Sequence, residues 1–420
     1  MSQWPVFALR DVAEIVAGIT LGRKTKDAEL IEVPYMRVAN VKDGLLDLSD
    51  VKTVAATARE IEKLRLRDGD LLLTEGGDLD KLGRGACWRN QLPICIHQNH
   101  IFRVRLPSDR YDMEFVSYQV GSAYGKSYFL AHAKKTTGIA SINQGVLGAF
   151  PLLTPPLDEQ REIAARLKAQ LAEAETARAA LQTQLSEVEA LRAAIYREAF
   201  GRAAPEPLPI TITPPPNHRK WQYLKLGDYA TTTSGATPSR SNKRYWEPME
   251  IPWVKTGEVS FTPITKTEES ISGVAMRECS LPMLPPKTVL IAMYGQGKTR
   301  GQSAILEMAA TINQACFAIL PNDTWEPEFL HHWLIANYQN LRSLSDDRGG
   351  NQANLNGALL NALKIPAPEK TEQQRIIGRL KTHLAEAGTI TQATALQLAE
   401  IEYLPQTLLA QAFGKAKAPS

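Results

Sequence analysis

Glu159-Gln160-Arg161-Glu162-Ile163-Ala164-Ala165-Arg166-Leu167 and Glu372-Gln373-Gln374-Arg375-Ile376-Ile377-Gly378-Arg379-Leu380 are one phrase written twice, 213 positions apart. Leu191 to Gly201 (LRAAIYREAFG) and Leu404 to Gly414 (LPQTLLAQAFG) repeat the relation at the same offset. A surface loop tolerates length changes at little cost. A helix in register with another does not, because one added residue turns everything beyond it by about 100°. The constant offset therefore predicts two long helices of matched length. Their starts carry capping signals: Asp158 after Pro155-Pro156 in the first, and a Thr371/Gln374 capping box in the second. Leu167, Leu171, Ala174, Arg178, Leu181, Leu185 and Val188 step by alternating fours and threes, the spacing of a heptad seam. Leu380, Leu384, Ala387, Thr391, Thr394, Leu398 and Ile401 occupy the same seven places in the second copy. Pro405 is expected to kink the second helix near its end.

Upstream of each helix the repeat is fainter but keeps its order. Leu9-Arg10-Asp11 with Gly18 corresponds to Leu226-Gly227-Asp228 with Gly235, and Pro34-Tyr35-Met36-Arg37 to Pro252-Trp253-Val254-Lys255. Gly83-Arg84-Gly85 aligns with Thr299-Arg300-Gly301, and His97-Gln98 with Asn313-Gln314. Offsets drift here, as expected for loops of different length on one scaffold. Each half is thus a variable globular module followed by a helix, and a Pro-rich tether (Pro205, Pro207, Pro209, Pro214-Pro215-Pro216) joins the halves. The modules read as mixed α and β. Apolar runs at Asp70-Leu71-Leu72-Leu73 and Val289-Leu290-Ile291-Ala292 precede glycine-rich turns, and Ile101 to Leu106 alternates as a half-buried strand does. Glu114 to Tyr118 and Glu328 to Leu334 read as helical.

With 420 residues, 44% apolar and 22% charged, the chain is long enough for two or three folded domains and too apolar for wholesale disorder. No run approaches the roughly 20 apolar residues of a membrane span, and the first residues lack a secretory pattern. Cys87, Cys95, Cys279 and Cys316 form no CxxC pair, which suits a reducing, cytoplasmic setting. A formal charge of only +3 means that any grip on nucleic acid rests on local patches or on partners.

Signals for catalysis are weak. Ala292-Met293-Tyr294-Gly295-Gln296-Gly297-Lys298-Thr299 comes within one glycine of a phosphate-binding loop, but Arg300-Gly301-Gln302-Ser303 does not read as the helix start that motif needs. Cys87, Cys95, His97 and His100 match no standard zinc spacing. Thr154-Pro155-Pro156-Leu157 lacks the amide and the aromatic ring of an adenine-methyltransferase tetrapeptide. No catalytic constellation and no metal set emerges. What recurs in both halves is loops suited to DNA. The first half offers Gly76 to Gly85, with Lys81 and Arg84, and His97-Gln98-Asn99-His100. The second offers Arg240, Asn242, Lys243 and Arg244; Gln296, Lys298, Thr299, Arg300 and Gln302; and Gly349-Gly350-Asn351-Gln352. Arg matches guanine and Asn or Gln matches adenine in the major groove, while Lys and Thr mostly contact phosphate.

The duplicated plan resembles the specificity (S) subunits of type I restriction–modification enzymes. The likeness is carried by Pro155-Pro156-Leu157-Asp158-Glu159-Gln160-Arg161-Glu162-Ile163 and Ala199-Phe200-Gly201, with their echoes at 366–376 and 412–414. The second copy departs at Glu369-Lys370-Thr371, where the first has Pro-Leu-Asp. The resemblance implies an α+β chain: two mixed target-recognition domains, at 1–154 and 221–368, separated by two long antiparallel coiled-coil helices in a pseudo-twofold repeat. The helices would occupy 155–203 and 369–415, with the linker at 204–220. It further implies an asymmetric bipartite target in double-stranded DNA, two methyltransferase subunits and two restriction subunits. S-adenosylmethionine, ATP and Mg would belong to those partners, and this chain would be non-catalytic. Glu159, Gln160, Leu167, Leu181, Phe200, Glu372, Gln373, Leu380, Leu398 and Phe413 mark the helices on which partners would dock. Three other readings remain open on the residues alone: a coiled-coil adaptor with protein-binding heads, the specificity part of a single-polypeptide restriction–modification system, and an NTPase using Lys298 and Thr299.

Overall fold

The structure is a computed structural model and describes residues 4–22, 29–77, 82–136, 139–201, 221–295, 297–344 and 354–414. The two apolar runs at the centre of the modules are the fully buried strands Leu71–Thr74 and Val289–Ala292. Each lies inside a four-stranded antiparallel sheet. In the first module the order is Glu14–Ala17, Ile101–Arg105, Leu71–Thr74, Gly85–Cys87. In the second it is Thr232–Ser234, Cys316–Ile319, Val289–Ala292, Ser303–Ile305.

A three-stranded sheet accompanies each. Lys52–Ala56, Ile31–Met36 and Ile96–His97 form one, and Glu269–Ile271, Ile251–Val254 and Thr311–Ile312 the other; in both, the last pair is parallel. A short ladder then ties the start of each module to the strand before its long helix: Val6–Ala8 with Pro151–Leu153, and Gln222–Lys225 with Lys364–Ala367. Strand for strand, the two modules share one topology. Lys134–Thr136, Ile139–Ser141 and Gly76–Gly77 make a further sheet in the first module.

Ile101–Arg105 corrects the expectation of a half-buried strand. It is an inner strand with both faces covered, and its alternating polar residues are turned inward and paired. Arg103, 1% exposed, bonds Glu14 at 2.7 Å and the Lys63 carbonyl at 3.0 Å. Arg105 grips the fully buried Asp70 with two bonds, of 2.6 and 2.7 Å. Alternation of apolar and polar residues marks two faces and does not say that the polar one is wet; here the buried Arg103 guanidinium and the half-buried Arg105 beside it are held by carboxylate and carbonyl acceptors.

The hydrogen-bond register also revises two correspondences between the halves. Leu73 faces Gly85 and Ile291 faces Ser303. The N–H of Thr74 donates to Arg84 O, and the N–H of Ala292 to Gln302 O, both at 2.9 Å. Arg84 is therefore equivalent to Gln302, not to Arg300. Gly83 and Gly301 then coincide, each with positive φ (67° and 85°), a conformation that favours glycine at both turns. Likewise Met36 pairs with His97 and Val254 with Ile312, so Gln98 matches Asn313 and Asn99 matches Gln314. Gly18 and Gly235 confirm this register independently: a Cβ on the first would strike the His97 carbonyl, and on the second the Ile312 carbonyl.

The long helices span Leu157–Phe200 and Lys370–Phe413, 44 residues each. Both begin two residues earlier than caps at Asp158 and Thr371 would place them, so these residues lie in the first turn and not at the cap; there the Asp158 carboxylate still complements the helix dipole. The second helix is unbroken at Pro405. Every one of the fourteen seam positions is buried or half-buried. Two of the polar seam residues are satisfied locally: Arg178 by Glu175 at 2.6 Å, and Thr391 by the Ala387 carbonyl at 2.9 Å.

The chain divides into two compact units, Met1–Gln182 with Ala395–Ser420, and Thr183–Thr394. Each unit thus holds one module, the start of the helix that follows it, and the end of the other repeat's helix. In the first, Ile163, Ala164 and Leu167 share a core with Leu408, Leu409, Ala412 and Phe413, and the Phe413 ring meets Phe115 edge-on at 5.3 Å. In the second, Ile195 and Phe200 share a core with Ile376, Ile377 and Leu380, and Arg379 bonds Glu198 at 2.6 Å. Within each unit the two helical segments accordingly run antiparallel.

Candidate nucleic-acid interface

In the first module the end of the strand Leu71–Thr74, the turn after the parallel strand Ile96–His97 and the residue that follows Ile139–Ser141 converge. Glu75 N–H donates to His100 O at 2.9 Å, and Ile142 N–H donates to Glu75 O at 2.8 Å. His100 is exposed, with Nδ1 2.6 Å from the Glu75 carboxylate. Gln98 and Asn99 are half-buried, and their side-chain amides make no hydrogen bond among the described residues. Arg84 lies 3.7 Å from Asp43, which also pairs with Lys126 at 3.0 Å. Lys81 lies outside the described residues. His97, read beside these residues, is excluded from the surface. It is fully buried, its Nε2 donates to Val16 O at 3.2 Å, and burial pushes its pKa down to about 4.

The second module repeats the convergence with other side chains. Met293 N–H donates to Ala315 O at 2.8 Å, and Leu355 N–H to Met293 O at 3.0 Å, reproducing the Glu75 bonds. Lys298 is exposed on the glycine turn, Thr299 and Gln302 are half-buried, and Arg300 is only 7% exposed. Arg300 therefore offers no guanidinium to a groove, a correction that follows from the two-residue register change. Gln296, Asn351 and Gln352 lie outside the described residues. The 239–246 loop is more ordered than its Ser, Asn and Lys content suggests. Asn242 caps a short helix at Lys243–Tyr245, and Arg240 stacks 3.8 Å over the Trp246 ring while bonding Glu269, whose pKa that bond lowers. Arg244 lies 3.7 Å from Glu278. Lys243 is exposed and has no partner among the described residues. Asn313 and Gln314 follow the parallel strand Thr311–Ile312 as Gln98 and Asn99 follow Ile96–His97; the near-match of His97-Gln98 to Asn313-Gln314 hid this by slipping one residue.

Rival chemistries find no support in this geometry. Residues 297–301 form a turn leading into the strand Ser303–Ile305, where a phosphate loop would begin a helix. Burial holds the Cys87 and Cys95 thiols protonated, pushed up to about 12, and they donate to the carbonyls of Met113 and Ile96.

Of the helix residues, six are interior. Gln160 takes the Asp112 N–H at 3.0 Å and donates to the carbonyls of Arg110 (3.1 Å) and Pro155 (2.8 Å). Gln373 takes the Glu326 N–H and donates to the carbonyls of Thr324 and Pro368, all at 2.8 Å. Leu167, Phe200, Leu380 and Phe413 are buried in the cores. These six lock helix to module and present no surface to a partner, which corrects their reading as docking residues. Leu181 and Leu398 are half-buried on the seams, Glu159 accepts the Trp4 indole N–H at 3.2 Å, and Glu372 bonds Arg375 at 2.6 Å.

The chain resembles solved structures along nearly its whole length. It matches a chain from a structure described as the basis of complex assembly and conformational transition of the type I R-M system with a TM-score of 0.72 at 20% identity, covering 98% of each chain. It matches the HsdS subunit from Thermoanaerobacter tengcongensis with a TM-score of 0.61 at 19% identity, covering 98% of this chain and 97% of that one. Among curated proteins it is similar to the type I restriction enzyme EcoR124I/EcoR124II specificity subunit of Escherichia coli, 25% identical over 41% of this chain and 43% of the relative. It is also similar to the MjaIX specificity subunit of Methanocaldococcus jannaschii, 31% identical over 38% of this chain and 36% of the relative. The matched stretches thus span about two-fifths of those relatives. The model of the type I restriction modification DNA specificity domain matches twice, over residues 1–185 and 218–400, and the chain belongs to that family.

Proposed function

We propose that this chain is the non-catalytic DNA-recognition subunit of a type I restriction–modification complex, with residues 1–154 and 221–368 each reading one half of an asymmetric bipartite site. One observation carries the reading: two modules share a strand order and register, yet differ in the side chains at the ends of their inner strands. A common scaffold with unlike loops supports two different half-sites. Linking two readers makes the second contact effectively intramolecular, so two weak half-site interactions add to one useful affinity. Two methyltransferase subunits and two restriction subunits would dock on the chain. Adenine methylation with S-adenosylmethionine and ATP- and Mg-dependent cleavage would lie with them.

The test is adenine methylome sequencing of a host strain with and without this gene. The expected result is one bipartite motif with unlike halves that vanishes on deletion. Persistence of every methylated motif after deletion would overturn the reading.

A further inference from the structure

We infer that Gln314 is a base-contacting residue of the second module, the counterpart of Asn99 in the first, and that it reads an adenine in the major groove. This rests on the DNA-recognition reading above and adds a residue that the sequence repeat alone misaligned.

The register places it. Parallel pairing of Met36 with His97 and of Val254 with Ile312 makes the next two residues equivalent, Gln98 to Asn313 and Asn99 to Gln314. The backbone bonds agree: Gln98 N–H donates to Met36 O at 2.9 Å, and Asn313 N–H to Val254 O at 3.0 Å.

The two amides at this turn then divide their work. The Asn313 side chain is committed to the fold, its Oδ1 accepting from Thr256 Oγ1 at 2.9 Å and from Ala315 N–H at 3.1 Å. Gln314 is exposed. Its Oε1 accepts from the Thr237 hydroxyl, and its Nε2 makes no bond among the described residues. An amide held by its oxygen keeps an Nε2–H donor and one oxygen lone pair for a ligand. That pair suits the N7 acceptor and the N6 donor that adenine shows in the major groove. The support beneath is stiff: Trp253, 2% exposed, donates its indole N–H to Ala236 O at 3.1 Å and so fixes the segment that carries Thr237. The first module has His100 beside Asn99, where the second has Ala315 beside Gln314. The turns therefore present different chemistry, as two unlike half-sites require.

The experiment is the methylome of the same host with the full-length chain replaced in turn by Gln314→Ala, Thr237→Val and Asn99→Ala. Gln314→Ala is expected to lower discrimination at one adenine position of a single half-site by about 10-fold and to leave the other half intact. Asn99→Ala should relax only the opposite half. Thr237→Val, which frees the Gln314 amide from its tether, should relax the same adenine position by less than Gln314→Ala does. Three results would each overturn the inference: an unchanged motif in Gln314→Ala, a change in both halves, or relaxation in Thr237→Val at a position other than the one that Gln314→Ala relaxes. A wild-type chain that directs no bipartite motif would instead bring down the DNA reading itself, so the two failures are distinguishable.

Discussion

Gln160 and Gln373 show what a duplicated residue can be for. Each lies three residues into its long helix, and each spends its amide oxygen on one module N–H and its amide nitrogen on two carbonyls. Truncation would orphan a buried donor and two acceptors at once. Gln160→Ala and Gln373→Ala are each expected to lower stability by about 1–3 kcal/mol, read as a lower urea midpoint. Glu159→Ala, one position away and making the single bond to Trp4, should move the midpoint far less. A midpoint unchanged in both glutamine variants would show that these bonds hold nothing. The repeat made both positions stand out in the sequence, but as candidates for partner docking. Their purpose was not legible because their acceptors are backbone carbonyls, which no side-chain pattern reveals. The same limit explains Arg300: a basic residue beside glycines reads as a DNA contact until the strand register turns it inward.

At the scale of elements, the helices were legible and the sheets were not. A seam of period 3.5 and a constant offset are local signals that survive side-chain divergence. Strand order depends on pairing between distant segments, and a slip of one or two residues leaves a plausible alignment, as it did at Arg84 and His97. The ends of the helices raised a further point that periodicity does not show. Phe413 closes the second repeat but sits in the core of the first module with Phe115, while Phe200 closes the first repeat and sits in the core of the second module against Phe329. Each module is therefore completed by the other repeat. Phe413→Ala is expected to cost about 3–5 kcal/mol in the first unit, and Phe200→Ala a similar amount in the second. Hydrogen exchange reads the two separately: Phe413→Ala should speed exchange in the helix Met113–Gly121, and Phe200→Ala in the helix Pro327–Ala336. Faster exchange confined to the module of the same repeat would refute the reciprocal arrangement.

For the whole molecule, the equal length of the two helices becomes a functional quantity once both modules read one duplex. The division into units falls between Gln182 and Thr183 on one helix and between Thr394 and Ala395 on the other, so insertions there leave each unit's own core untouched. Seven residues added at both points keep the heptad phase and lengthen each helix by about 10 Å, close to 3 base-pair steps of B-form DNA. On the proposed function, such a chain should recognise the same two half-sites with a gap about 3 base pairs wider, as read from its methylome. A single residue at both points would instead rotate the following segment by about 100° and is expected to abolish methylation of the bipartite motif, because the seam loses phase and the second half-site no longer faces its reader. Half-site bases that change while the gap stays fixed would mean that helix length does not set the spacing. Intact recognition after the single-residue insertion would count equally against a helical ruler, since only a flexible connection is indifferent to phase.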